Sequence, residues 1–301
     1  MSFTAVIVAH DSARDLTVLL ASLAEHHGSG PGAPQVVVVD GGSTDDSVAV
    51  ARAAGAEVVV LDGNPGFGAA NNAGVAVARH AVTVLLNPDT IVLDDGLARL
   101  AALPARRDAL FAPRLLNADR TVQRSAHPRP GTVAALLPAL VHPRALPAGP
   151  RLRADPWRSD APVEIGWAIA ACLAARTGTL RRLGPFDPEP FLYGEDMDLG
   201  LRAAALGVPT VLWPAVRLVH TGGTSTTAHF GGEPLDLKAR RRREVVRTDL
   251  GGTALALDDA AQAVTFATRA GARAALGRPS GRERAELRAW WRAVRRPDGA
   301  G

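Results

Sequence analysis

The stretch Phe191–Gly200 reads FLYGEDMDLG and sets Glu195, Asp196 and Asp198 within four positions, behind two aromatic residues and a glycine. Carboxylates crowded into apolar surroundings hold their protons more tightly than carboxylates in water. One placed within hydrogen-bond reach of a hydroxyl can take its proton, the work of a general base. The same acids also suit the first turn of a helix running to Leu206, where the dipole favours negative charge. Other polar residues fall at the ends of apolar runs. Asp40 closes a run of four valines and enters Gly41-Gly42-Ser43-Thr44-Asp45, where glycine lets backbone approach a ligand closely. It can accept from a nucleotide's base N–H or ribose hydroxyl, or, with Asp45, only shape the turn and cap a helix. Asp89, in Asn87-Pro88-Asp89, suits a hard divalent cation held by few carboxylates plus a ligand's phosphates, or else belongs to an ordinary turn. His220 precedes Gly222, Gly223 and Ser225 and suits contact with a metal or a phosphate.

The elements that must position these groups alternate. Strand-like runs at Thr4–Ala9, Gln35–Asp40, Glu57–Leu61 and Ala81–Leu86 are separated by helix-like runs. One of these carries Leu16, Leu19, Leu20 and Leu23 at helical spacing behind Ser12 as N-cap; the others cover Asp45–Ala54 and Gly68–Arg79. Such repetition predicts an α/β fold, a mostly parallel sheet covered on both faces. Ligands then bind at the carboxyl ends of the strands. From Leu103 to Pro162 proline is frequent, and the stretch reads as a connecting region with short elements. Helices are expected at Thr177–Leu183 and Leu199–Leu206, and last strands at Pro209–Trp213 and Val216–His220.

Composition narrows the function. Of 301 residues 47% are apolar, which is globular material. A single cysteine, Cys172, excludes an internal disulfide framework and fits a reducing compartment. The N-terminus lacks the pattern of a signal peptide, and no apolar run approaches the ~20 residues of a membrane span. The expected location is therefore the cytoplasm, with the inner face of the membrane open. The first strand runs into Ala9-His10-Asp11-Ser12, without a dinucleotide fingerprint, and the only lysine, Lys238, forms no P-loop. Residues 238–301 hold 15 of the 34 Lys and Arg but 7 of the 30 Asp and Glu, a local +8 against −4 for the rest. The run Lys238–Arg243 is either a solvated helix face or a contact for an anionic surface; nucleic acid ranks last, since no aromatics interleave it. Trp290 and Trp291 beside arginines suit either a bilayer interface or ordinary packing.

Taken in order, seven blocks between Thr4 and about Ser225 resemble the inverting glycosyltransferases of family 2, with the GT-A fold, and most of all bacterial rhamnosyltransferases. They are the Asp40 block with Ser43-Thr44-Asp45, Asn64-Pro65-Gly66-Phe67-Gly68 with Asn72 and Gly74, Leu86-Asn87-Pro88-Asp89, Trp167 with Ala171-Cys172, Gly184-Pro185-Phe186-Asp187, Phe191–Leu199, and His220 with Gly223 and Ser225. The resemblance implies Asp196 as catalytic base; on chemical grounds Phe191 and Tyr193 would desolvate it, and Glu195 and Asp198 would add like-charge pressure in the same direction. It implies a nucleotide-sugar site of Ala9, His10, Asp40, Asn64, Gly66, Phe67, Asn72, Asn87 and Asp89. Phe67 is equally a core anchor. Asp89 and His220 would ligate Mg2+ or Mn2+, and Trp167, Tyr193 and Glu195 would lie on the acceptor side. The expected reaction moves a sugar, rhamnose by default, from a dTDP- or UDP-sugar to a hydroxyl of a glycan, a lipid-linked or a small-molecule acceptor. The chain departs from the family at His10-Asp11, Gly41, Ile169-Ala170-Ala171, Thr177 and Pro185, which bears on the sugar rather than the reaction class. Residues 1–235 are expected to form the transferase domain, with a donor half at 1–103 and an acceptor half at 163–235. Residues 236–301 form a basic, mainly helical extension, a candidate for peripheral membrane contact. The rivals are a nucleotidyltransferase on a similar sheet and a non-catalytic sugar-nucleotide or glycan-binding module.

Overall fold

A computed structural model describes residues 2–28, 32–141, 146–149, 154–184, 186–187, 193–222 and 234–295. The chain divides into two compact units: Met1–Ala126 with Trp157–Gly232, and His127–Pro156 with Glu233–Gly301.

The first unit is built on nine strands: β1 Thr4–Ala9, β2 Gln35–Asp40, β3 Glu57–Val60, β4 Val82–Leu86, β5 Thr90–Val92, β6 Leu110–Leu116, β7 Val163–Ile165, β8 Cys172–Arg176 and β9 Thr210–His220. They lie in the order β3-β2-β1-β4-β8-β6-β9-β5, with β7 also on β9. The first four strands are mutually parallel. Strand β8 is antiparallel to both β4 and β6, while β6 and β9 run parallel. Strands β5 and β7 run against β9, so six of the nine strands point one way, as alternation of strand and helix predicts. Both faces are covered, which is why the valine runs of β1 and β2 show no polar alternation. Ala5, Ile7 and Ala9 pack with Leu16, Leu19 and Leu23 of helix α1 (Ala13–His27) and with Leu97 and Leu100 of α4 (Gly96–Ala101). Val6, Val37 and Val39 pack on the other face with Ala70 and Val75 of α3 (Phe67–Val77), Leu180 of α7 (Thr177–Leu183) and Leu199 of α8 (Glu195–Ala205).

Several sequence expectations shift. Helix α2 spans Ser47–Ala53, and α8 begins at Glu195 rather than Leu199, so the acids open the helix. The two last strands are one, β9, whose register against β6 shifts between Trp213 and Arg217. The proline-rich stretch hides a fully buried central strand, β6. Its Pro113 lies opposite Trp213, where that register breaks and a ladder donor is least needed. Ser12 stands at the N-cap of α1 without making a side-chain cap; Asp45, from the β2–α2 loop, accepts the Ala13 N–H at 2.9 Å instead. Cys172 is buried in β8, and burial pushes its thiol well above the ordinary range.

The second unit is helical. A short helix α5 (Leu103–Arg106) belongs to the first unit; here lie α6 (Val133–Leu140), α9 (Leu235–Ala275) and α10 (Gly281–Arg295). Gly251 takes φ 82° inside α9. Arg242 and Arg243 then pair with Asp258 and Asp259, sixteen residues on, at 2.8 and 2.9 Å. A straight helix would separate these residues by about 24 Å, so α9 doubles back at Gly251. Two arginines of the basic run are thus taken up inside the unit, and neither reading of Lys238–Arg243 as a wholly solvent-facing stripe holds for them. Trp290 is buried against Ala239 and Phe266, whereas Trp291 is half exposed. Among the described residues no helix is long and apolar enough to cross a membrane.

Candidate active site

Sheet register brings Ala9, Asp40, Asn87, Asp89 and His220 to one end of the first unit. Ala9 and Asp40 are neighbours at the ends of β1 and β2. Leu86 pairs with Ile7 and with Cys172, so Asn87 emerges beside them, its N–H donated to the Ala171 carbonyl at 2.9 Å. His220, the last residue of β9, pairs with Thr90, the first of β5. That pairing sets His220 beside Asp89: its Nε2 is 3.3 Å from Asp89 Oδ1, with both side chains nearly buried. The Thr221 N–H and hydroxyl are donated to the Asp89 carbonyl at 3.0 and 3.2 Å and fix the turn from the other side.

Asp196 is the second residue of α8, with Ala168, Ala170, Leu173, Leu199 and Gly200 around it. This apolar enclosure desolvates the carboxyl and pushes its pKa up to about 6, against the Ala170 N–H and the charge of nearby His220, which both pull it down. His220 is therefore felt by both Asp89 and Asp196. The like-charge pressure expected from Asp198 is not the cause: Asp198 is clamped by Arg202 one turn later, with contacts of 2.6 to 3.0 Å. Burial does the work assigned to charge crowding. Glu195 is buried, and Tyr193 and Gly194 enter the helix with φ 71° and 96°, a costly backbone for tyrosine. Trp167 packs under the helix where Gly200 omits a side chain; a Cβ there would lie 2.8 Å from Trp167 Cβ. Phe191, Gly223 and Ser225 lie outside the described residues.

The remaining predicted donor residues divide into two groups. Asp40 is buried and accepts from the Gly42 and Ser43 amides at 3.1 and 3.0 Å and from the Ser43 hydroxyl, so it does build its turn. His10 Nδ1 is 3.0 Å from the Gly41 carbonyl, and its ring is partly exposed at the strand ends. Asp11, with φ 45°, accepts the Thr44 N–H at 2.7 Å, which holds its carboxyl below the usual range. Asn64 accepts the Gly66 N–H and lies beside Gly41. Asn72 faces elsewhere: its amide donates to the Phe186 carbonyl at 2.8 Å and accepts the Phe186 N–H at 3.0 Å. Phe67 meets the Phe186 ring edge-on, and Gly68 and Gly74 let α3 close onto Asp187 and Val6. The second half of that block therefore fastens α3 to the 186–187 segment.

The site fits a divalent cation. Asn87 Oδ1 and Asp89 Oδ1 are both buried without a hydrogen-bond partner, a costly state that a cation would relieve. Among the described residues no cluster of three His, Cys, Asp or Glu side chains forms a metal cage. Asp89 and His220 are then a two-residue set, the pattern of an ion whose other ligands come from a phosphate-bearing partner and water. Two further residues act here: Ala170, known from the sequence only as a departure from the family's pattern, through its N–H on Asp196, and Gln123, assigned no role from sequence, whose Oε1 is 2.8 Å from His220 Nδ1.

Residues 4–142 match the family described as Glycosyl transferase family 2. The N-acetylglucosaminyl-diphospho-decaprenol L-rhamnosyltransferase of Mycobacterium tuberculosis is 27% identical over 214 residues, 64% of this chain and 67% of that protein. The mannosyltransferase PcManGT from Pyrobaculum calidifontis, solved with GDP-Man and Mn2+, superposes with a TM-score of 0.55 at 17% identity, covering 97% of this chain and 85% of that one. TarS of S. aureus, solved with UDP-GlcNAc, gives 0.55 at 15% identity over 88% and 71%. Residues 4–142 are thus similar to family 2, the fold is that of the GT-A glycosyltransferases, and the chain is a glycosyltransferase.

Proposed function

We propose that the chain is a metal-dependent, inverting glycosyltransferase that moves a sugar, rhamnose first among candidates, from a dTDP- or UDP-sugar to a hydroxyl of a lipid-linked glycan. The observation that carries this is the facing pair of Asp89 and His220 with orphaned oxygens around it, beside a carboxyl whose pKa is raised to about 6. Asp89 and His220 hold Mg2+ or Mn2+, which when bound supplies Lewis-acid stabilisation to the leaving diphosphate. Asp40, His10 and Asn64 line the strand ends where the nucleoside is received. Asp196 takes the proton from the acceptor hydroxyl as its oxygen attacks the anomeric carbon from the face opposite the leaving group. A pKa near 6 leaves it ionised at neutral pH yet basic enough to hold the proton in transit. The Mycobacterium relative's name states an N-acetylglucosaminyl-diphospho-decaprenol acceptor, which supports the lipid-linked class. Any membrane contact through the second unit would then fall to residues outside its internal pairs, Trp291 among them.

Thermal unfolding with dTDP, UDP and GDP, each with and without Mn2+, tests the donor site. A ligand at a hundred times its Kd stabilises by about 2.7 kcal/mol. One nucleotide should raise the unfolding temperature only when Mn2+ is present, and His220→Ala should remove the metal-dependent part. No gain from any nucleotide refutes the reading and favours a module that binds glycan alone.

A further inference from the structure

The hydrogen bonds around His220 decide which of its nitrogens carries the proton. Gln123 lies just beyond a tight turn after β6, in which Asn117 accepts the Arg120 N–H through its carbonyl and Leu116 bridges to Val122. Its amide nitrogen is 3.3 Å from the His220 carbonyl and 3.1 Å from Asn117 Oδ1. A backbone carbonyl can only accept, so the nitrogen of the Gln123 amide must face it. Asn117 agrees: its own Nδ2 is spent on the Thr121 hydroxyl at 2.9 Å, leaving Oδ1 as acceptor. Gln123 Oε1 is thereby turned to His220 Nδ1 at 2.8 Å, and Nδ1 must be the donor. In the neutral ring that leaves Nε2 with a bare lone pair, directed at Asp89 Oδ1 from 3.3 Å. Two acceptors facing one another at that distance repel, unless a proton on Nε2 or a metal ion lies between them.

We propose that Gln123 is a positioning residue: by accepting the Nδ1–H it fixes His220 in the tautomer that presents Nε2, with Asp89, to a divalent cation. This rests on the cation reading above and extends it to a residue that touches neither metal nor substrate. The arrangement has the logic of an outer partner that orients a ligating imidazole and raises its basicity. Gln123 is suited to it because Asn117 and the His220 carbonyl prevent its amide from flipping.

The test reads the tautomer directly. The full chain, labelled with 15N-histidine and free of metal, is examined by long-range proton–nitrogen NMR well above the ordinary imidazole pKa of about 6.5. The His220 signals are identified by their loss in His220→Asn. The wild type should show the Nδ1–H form. Gln123→Leu should lose it for a mixture or the Nε2–H form. Mn2+ titration followed by the electron paramagnetic resonance of free Mn2+ should show Gln123→Leu weakened about 10–100-fold. Circular dichroism checks folding; should Gln123→Leu not fold, Gln123→Met and the wild-type spectrum carry the same test. An Nε2–H ring in the wild type overturns the proposal, as does a Gln123→Leu protein with unchanged tautomer and Mn2+ affinity. An Nδ1–H ring in a protein that binds no Mn2+, even with nucleotide, instead overturns the cation reading and with it the purpose assigned to Gln123.

Discussion

Replacing Asp196 by asparagine should make the protein more stable and nearly inactive. The carboxyl is raised from 3.8 to about 6, chiefly because apolar neighbours desolvate it. Each pKa unit is about 1.4 kcal/mol, so ionised Asp196 costs the fold on the order of 2–3 kcal/mol at pH 8. The sign follows from proton binding. Between 3.8 and about 6 the folded chain binds the proton more tightly than the unfolded chain. The stabilising contribution is therefore complete below 3.8 and is lost as pH rises through 6. Asparagine keeps an oxygen for the Ala170 N–H and carries no charge, so Asp196→Asn should exceed the wild type by up to about 2–3 kcal/mol at pH 8. That gap should close towards pH 4. Urea unfolding at both pH values measures it. Turnover should fall about 10²–10⁴-fold, the usual contribution of one positioned base. The wild-type kcat/KM should rise through an ascending limb near pH 6, displaced to lower pH by saturating Mn2+, since a cation beside His220 favours the ionised form. A variant that keeps full turnover, or that is no more stable than the wild type at pH 8, would refute the reasoning.

Two structural predictions follow from close approaches and buried charge. Gly200→Ala places a Cβ 2.8 Å from Trp167 Cβ and 3.2 Å from the Gly166 carbonyl; overpacking of this kind costs about 1–3 kcal/mol, read as a lower urea midpoint. The tilt it imposes on α8 should also lower kcat, because Asp196 rides on the same helix. Arg242→Met leaves Asp258, fully buried, without its bidentate partner. A loss of about 3–5 kcal/mol is expected in the helical transition followed by circular dichroism, and Arg242→Met with Asp258→Leu should recover most of it.

What could be read in advance was whatever depends on local pattern. The parallel β1–β4 half of the sheet follows from apolar runs separated by helical periodicity, and its strand-end polar residues follow from that topology. Strand β6 could not be read this way. Its Pro113 and Arg114 look like loop residues, and only its neighbours reveal a central strand. Arg114 is tolerated there because Asp160 and the Ser159 carbonyl take its guanidinium. The break in β9 likewise presented one strand as two. In the second unit the basic run looked solvent-facing, because the acids that absorb Arg242 and Arg243 lie sixteen residues away, across a glycine that turns the helix back.

The candidate site was legible as a set of residue types but not as a division of labour. Asp89 and His220 stand 131 positions apart in sequence, yet the antiparallel pairing of β5 with β9 makes their contact a consequence of register. Crowded acids around Asp196 implied a raised proton affinity, and the direction was right, but the cause is different. Asp198 is neutralised by Arg202, so packing alone holds the affinity up. Asn72 shows the converse limit, for an amide in a motif offers donors and acceptors to ligand and backbone alike, and only the fold decides which receives them. Gln123 left no signal at all in a stretch read as connector. Its importance arises entirely from which acceptors surround it, a property of the folded hydrogen-bond network that no spacing rule encodes.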